Sequence, residues 1–280
     1  MLEVIKPGFY TSIQDLGRWG YRDRGMPSSG VMDEVSAAFA NALLNNNKTD
    51  ALLEITQIGP HLRFHKKTHI AFSGALCELK LNGQKLELNK AYVVEVGDEL
   101  KVGYCRKGIR LYMAIKGGFQ TEEKLNSRSW IKDVYAKFRC EKGDELAYKE
   151  HLNFFNKYAG VEGPKPSEES ELIVTPGPEF HLLSEAEEKE LFSKTFTISN
   201  LNNRMAYNLE EKLPNNLPEI LSVPVIPGTV QLSSGGTLMI LMKDAATTGG
   251  YPRILQLSHH AIASLSQKST RETIDFKMKY

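Results

Sequence analysis

Between Ala51 and Lys116 the chain carries eight short runs in which apolar and polar residues alternate: LEIT, HLRF, HIAFSG, CELKLNG, KLELN, YVVEV, ELKVGY and RLYMAI. A period of two places successive side chains on opposite faces of a strand, so each run has one face to bury. The breaks between them are Gly, Asn and Lys turns, and Asn82-Gly83 is a strong hairpin signal because both residues tolerate positive φ. Many short strands at close spacing predict a β-meander that closes into a barrel or sandwich. This stretch constrains the fold more than any other feature.

The flanking sequence extends the picture. Residues 1–15 begin with a β-like run and reach a turn at Pro7-Gly8, and a Gly-rich loop follows from Gly17 to Gly30. Residues 33–45 read as a helix, with Asp33 as N-cap and Val35, Ala38, Phe39, Ala42 and Leu43 at helical spacing. A second Gly-started loop covers 117–130. The polar stretch 141–170, with Gly160, Gly163, Pro164 and Pro166, is the best candidate for a boundary or linker. The second part is again β-rich: ELIVTPGPEF, TFTIS, VIPGTVQL, TLMILM, RILQLS and TIDFKM. Helices are predicted near 184–193, where Ser184 and Glu187 fit a capping box, and near 258–267. The expected fold class is mainly β, with two β-rich halves, 1–160 and 161–280, and a few short helices.

Composition narrows the function. Lys plus Arg number 35 and Asp plus Glu 34, a balance that argues against a general nucleic-acid binder. No stretch approaches the roughly 20 apolar residues of a membrane helix, and the N-terminus lacks a signal-peptide pattern. Cys77, Cys105 and Cys140 show no CxxC pairing, which predicts reduced, buried thiols and a cytoplasmic protein. There is no P-loop, dinucleotide fingerprint, GxSxG elbow or HExxH motif. His61, His65 and His69 lie four apart, but the alternation around them is that of a strand, so a solvated face is expected rather than a metal site. Lys277-Met278-Lys279 has the reverse of the residue order around a biotinylated lysine and reads as a strand end.

Three segments concentrate residues suited to chemistry. The first runs from Gln14-Asp15-Leu16-Gly17-Arg18 to Pro27-Ser28-Ser29-Gly30-Val31-Met32-Asp33. Its glycines permit close backbone approach, Arg18 can clamp a carboxylate or phosphate, and Gln14 can donate to a carbonyl. The second is Pro227-Gly228-Thr229-Val230-Gln231, where Gln231 suits an amide, offering a donor to its carbonyl and an acceptor to its N–H. The third is Asp244-Ala245-Ala246-Thr247-Thr248-Gly249-Gly250-Tyr251-Pro252. There Asp244 can act as a base or hold a cation, and the Gly249 and Gly250 N–H groups can bind an oxyanion. The plainer readings are a structural loop with Asp33 as a cap, a buried Gln satisfied by backbone, and a β-turn with capping polar groups.

Taken in order, these segments resemble the allophanate hydrolase subunit 2, or biotin-dependent carboxyltransferase-like, family. The resemblance rests on QDLGR at 14–18, GMPSSGVMD at 25–33, Ala40-Asn41, Glu54 with Gly59-Pro60, Lys116-Gly117-Gly118 and Ser127-Arg128-Ser129. It continues through Thr175 to Glu179, Asn202 to Glu210, and the PGTVQ and DAATTGGYP blocks, covering essentially the whole chain. Asn126, Ala206 and Asn208 depart from the family pattern, and Asn208 stands at a basic position.

The resemblance implies a cyclophilin-like β-barrel and a single carboxyltransferase-like domain over 1–280. It also implies a homologous B-type partner subunit (the allophanate hydrolase subunit 1 family) and, in the oxoprolinase system, an A-type subunit. The implied reaction opens 5-oxo-L-proline to L-glutamate with ATP and Mg2+; because a resonance-stabilised amide is a poor electrophile, our hypothesis for the chemistry is that the B- and C-type subunits activate the lactam as a phosphorylated imidate. Side-chain chemistry then suggests Asp244, Gln231 and Arg18 as catalytic residues. Gln14, Ser29, Arg128, Arg204, Thr248, Gly249, Gly250 and Tyr251 are the expected substrate contacts. One alternative is the carboxyltransferase half of a biotin-dependent urea or amide carboxylase. Another is a non-catalytic regulator that binds a kinase-inhibitor homologue.

Overall fold

A computed structural model describes residues 1–153, 162–164 and 170–279. The chain divides into two compact units. One is Met1–Arg18 with the described residues from Ser29 to 164. The other is Trp19–Ser28 with those from 170 onward. The expected linker at 141–170 falls partly outside the described residues.

The first unit contains β1 (Leu2–Lys6), β2 (Tyr10–Gln14), α1 (Glu34–Leu43), β3 (Leu52–Thr56), β4 (His61–Phe64) and β5 (Thr68–Leu81). It continues with β6 (Gln84–Leu86), β7 (Ala91–Val94), β8 (Glu99–Ile115) and β9 (Glu145–Leu146). They form one nine-stranded sheet in the order β2-β3-β8-β4-β1-β9, with β5 pairing β6, β7 and β8. Two pairs of runs predicted as separate strands are continuous: HIAFSG joins CELKL in β5, and ELKVGY joins RLYMAI in β8. Their register slips between Gly74 and Leu79, so bulges bend one long antiparallel pair where the sequence suggested breaks. The Asn82-Gly83 turn joins Leu81 to its partner Gln84, with φ of 50° and 83°.

One face of this sheet buries Leu2, Val4, Ile13, Leu53, Phe64, Phe72 and Met113. On the other, Val31, Ala37, Ala40, Leu43 and Leu44 of the α1 region pack against Leu52, Ala71, Tyr112 and Ala114. Asp33 caps α1 by accepting from Ser36 N at 3.0 Å. At the other end, Lys116 Nζ donates to the Leu44 and Asn45 carbonyls at 2.9 and 3.1 Å, meeting the negative end of the helix.

The second unit contains β10 (Glu171–Pro176), α2 (Glu185–Ser193), β11 (Phe196–Asn202), β12 (Ala206–Lys212), β13 (Val223–Pro224) and β14 (Thr229–Leu232). It ends with β15 (Thr237–Leu241), β16 (Thr248–Gly249), β17 (Arg253–Leu257), α3 (His259–Ser266) and β18 (Thr273–Met278). Seven strands close a barrel in the order β10-β17-β14-β15-β12-β11-β18, and β13 pairs with β16 separately. The only parallel pairing among the described barrel strands, β10 with β18, completes the ring and leaves no open edge. Val174, Phe196, Ile198, Tyr207, Val230, Ile240 and Leu255 are fully buried. The capping box at α2 is present, with Ser184 and Glu187 each accepting from the other's backbone N–H.

The fold is thus mainly β, as expected, with a closed barrel in one unit and a half-barrel in the other. The expectation of three reduced cysteines needs correction. Cys77 and Cys105 face each other across β5 and β8, with Cα atoms 4.0 Å apart, and are joined as a disulfide. A scan for short Cys spacings cannot see a pair 28 residues apart that only strand register brings together. Cys140 is a free buried thiol, its pKa pushed up to about 12 by burial. Among the described residues no helix is long and apolar enough to cross a membrane.

Candidate functional site

The residues nominated from the sequence fall into two groups, one in each unit. In the first unit, the end of β2 leads directly into the Gln14–Arg18 loop. Asp15 Oδ1 accepts from Gly17 N at 2.7 Å, Ser127 Oγ at 2.7 Å and Ser129 Oγ at 2.6 Å, and Oδ2 accepts from Arg128 N at 2.6 Å. Arg18, fully buried, donates to the Ser129 carbonyl. Gln14 donates to Ser12 Oγ and to the Trp130 carbonyl, both at 3.0 Å. The Ser-Arg-Ser motif therefore grips the QDLGR loop through a carboxylate that the sequence passed over. Two serines flanking Arg128 at a spacing of two were the available signal. The Arg128 side chain instead pairs with Glu123 at the surface.

Ser29 and Gly30 follow in the left-handed region, with φ of 55° and 97°. A Cβ on Gly30 would lie 2.8 Å from Gly17 N, so only glycine fits this approach. Beyond it, Met32 N donates at 2.8 Å to Glu54 Oε2, which also accepts from Tyr112 Oη at 2.9 Å. Arg110 Nε stands 3.8 Å from Glu54 Oε1, and both side chains are almost wholly buried. Burial, with the Glu54 and Asp33 carboxylates nearby, raises the Tyr112 pKa well above its usual value. This cluster fixes the path of the loop into α1. Two clefts of about 330 Å³ also lie in this unit. One is lined by Thr121, Trp130, Lys137 and Asp144, the other by Phe9, Arg139 and Cys140, and neither includes a nominated residue.

In the second unit the 244–253 loop runs from the end of β15 to the start of β17. Its first anchor is bidentate: Arg204 Nε and Nη2 donate to Asp244 Oδ2 and Oδ1 at 2.8 and 3.0 Å. Both side chains are about nine-tenths buried, and Asp244 N donates to the Arg204 carbonyl at 2.8 Å. The second anchor is Arg253, whose Nε and Nη2 donate to Glu179 Oε2 and Oε1 at 2.8 and 2.7 Å. These hydrogen bonds hold the Glu179 carboxyl below the usual carboxylate range. Between the anchors, Gln231 Nε2 donates to the Tyr251 carbonyl at 3.1 Å, and Gly249 packs so closely that a Cβ there would meet Gln231 Nε2 at 2.5 Å.

Thr248 and Gly249 form β16 against Val223 and Pro224, leaving Thr248 exposed, and the Gly250 carbonyl accepts from Ile220 N at 3.1 Å. The structure thus gathers Arg204, Gln231, Asp244 and Thr248–Tyr251 around one loop. It adds Glu179 and Arg253, which sequence reasoning had not nominated, although Glu179 closes the TPGPE block and Arg253 follows Tyr251-Pro252. Chemically, the loop presents amide and backbone groups held in place by two ion pairs. Among the described residues no cluster of three or more His, Cys, Asp or Glu side chains is arranged as a metal site. Asp244, with both oxygens taken by Arg204, does not fit a magnesium ligand in this arrangement.

Comparison with known proteins agrees with this architecture. Residues 24–278 match the family described as carboxyltransferase domain, subdomain A and B. The chain is 29% identical to a protein of Escherichia coli K12 named as the C-type subunit of 5-oxoprolinase, over 99% of this chain and 90% of that one. It is similar to the crystal structure of TTHA0988, with a TM-score of 0.88 and 27% identity. That match covers 99% of this chain and 55% of the other, so the chain spans about half of that protein. It is also similar to the crystal structure of the Kluyveromyces lactis urea carboxylase, with a TM-score of 0.90 and 28% identity over 98% of this chain and 27% of that one. A β-barrel unit, a half-barrel unit and a family match over nearly the whole length together place the chain in the carboxyltransferase domain family, subdomains A and B.

Proposed function

We propose that the chain is the C-type subunit of an ATP-dependent 5-oxoprolinase, acting with B-type and A-type subunits to open 5-oxo-L-proline to L-glutamate. One observation carries the reading: similarity along 99% of the chain to a protein named as the C-type subunit of that enzyme. The second unit offers fitting chemistry. Gln231 is nearly buried, oriented by the Tyr251 carbonyl and backed by a glycine, a rigid amide that can pair with the amide edge of a lactam. Thr248 and the Gly249–Gly250 backbone supply further polar contacts. Arg204 holds Asp244 rather than standing free, so Asp244 serves here as a positioning residue for the loop. ATP is a substrate of the assembled enzyme, and no step is assigned to magnesium on this chain.

The test is production of L-glutamate from 5-oxo-L-proline and ATP by the three purified subunits. Loss of turnover on omitting this chain supports the reading, and undiminished turnover without it rejects it. The likeness to a urea carboxylase favours a second reading, carboxyl transfer from biotin to urea or another amide by a larger assembly. Inhibition of the activity by avidin would select that alternative.

A further inference from the structure

The barrel register brings one more side chain beside Gln231. Tyr207, Ile240 and Val230 are cross-strand neighbours on β12, β15 and β14, and all three are fully buried. One residue along, Asn208 pairs with Met239 and Met239 with Gln231, so these three share the opposite face. Directly opposed Cβ atoms stand about 4.5–5.5 Å apart, which puts Asn208 and Gln231 roughly 10 Å apart with Met239 between them. The 244–253 loop is fastened at the Gln231 end of this row through the Tyr251 carbonyl.

Asn208 is half-buried, and its Oδ1 is enclosed yet takes no hydrogen bond among the described residues. An acceptor removed from water without a partner is costly, and native structures rarely keep one without a reason. Nothing in the barrel fold requires an amide here: a Leu or Met would continue the row from Met239. We propose that Asn208 is a specificity-determining residue that, with Gln231, reads the amide edge of a small lactam or amide laid across Met239. Either orientation of the Asn208 amide suits such a ligand, which offers an N–H and a C=O side by side. The inference rests on the reading of the chain as part of a small-amide enzyme, and it adds the residue that distinguishes an amide from an apolar ring.

Two measurements test it. In the assembly of all three subunits, Asn208→Leu is expected to raise KM for 5-oxo-L-proline roughly three- to tenfold, the loss of one neutral hydrogen bond. The turnover number should stay within about twofold and the melting temperature of the chain should not fall, since no internal bond is removed. An unchanged KM, or a KM change matched by a lower melting temperature, overturns the proposal. Independently, the side-chain NH2 resonances of Asn208 in the full wild-type chain should shift on titration with 5-oxo-L-proline. If the assembly opens no lactam but these resonances shift with urea, the Asn208–Gln231 site stands and the oxoprolinase reading falls. If they move with neither compound, the site itself is wrong.

Discussion

Both units fasten a functional-looking loop with a carboxylate, but they neutralise that carboxylate in opposite ways. In the first unit, Asp15 accepts from two backbone amides and two hydroxyls, all neutral donors within its own loops. In the second, Asp244 and Glu179 each face a bidentate guanidinium that reaches in from a distant strand or loop. The neutral network consumes the backbone groups of its loop, so the QDLGR segment is closed on itself. The guanidinium pairs hold the 244–253 loop only at its ends and leave the Thr248–Gly250 stretch to other partners. A loop clasped by charge at its ends, with Thr248 exposed between them on the short β16 strand, is suited to contact a substrate. One stitched throughout is suited to keep shape.

This contrast can be broken or sharpened by substitution. The largest effect is expected at Glu54 of the first unit. Glu54→Leu removes the buried carboxylate beside the Arg110 guanidinium and the acceptor of Met32 N and Tyr112 Oη, for a loss of about 3–5 kcal/mol. Urea unfolding would measure it, and a loss under about 1 kcal/mol would mean the cluster is not structural. Next, Arg204→Met should cost about 2–3 kcal/mol, because two charge-assisted bonds to Asp244 are lost near the protein interior. It should also lower turnover of the reconstituted enzyme. Full turnover with lowered stability would show that the loop anchor has no bearing on activity.

Ser129→Ala removes one neutral donor to Asp15 and should cost about 1–2 kcal/mol with turnover nearly intact. A severe loss of activity with normal stability would reverse the roles assigned to the two loops. Gly249→Ala should cost about 1 kcal/mol, since the new methyl displaces the end of the Gln231 side chain and with it the hydrogen bond to the Tyr251 carbonyl. It should also raise KM for the lactam, as Gln231 is pushed from its place. The smallest effect is a pH dependence. The folded-state pKa of Glu179 is depressed, so its pairing with Arg253 stabilises the protein above the ordinary carboxylate value of 4.5 and is lost as pH falls through the folded value. Glu179→Gln should therefore flatten the decline in melting temperature below about pH 4.5, and an unaltered decline would assign it to other carboxylates.

Features set by local chemistry could be read from the sequence. The Asp33 cap, the Ser184–Glu187 capping box and the Asn82-Gly83 hairpin each need only a few consecutive residues. Features set by register could not. Gly74, with φ of 104°, looked like a strand break and is a bulge inside β5, so two predicted strands are one. The Cys77–Cys105 disulfide depends on that same long pairing of β5 with β8. The candidate site shows the same divide. Gln231 and the GGY run stood out by composition, whereas the pairs that hold them lie 40 and 74 residues apart in the chain. Arg204 and Asp244 were both nominated, but as separate contacts. Only the fold reveals that each is the other's partner.

The most direct measurement is the position of 5-oxo-L-proline in a crystal structure of the assembled enzyme. The expected result is a lactam ring on the second unit, its amide edge within hydrogen-bond distance of Gln231 and its ring against Met239. A ring bound instead in the Thr121–Trp130 cleft of the first unit, or only on another subunit, would contradict the assignment of substrate recognition to the 244–253 loop.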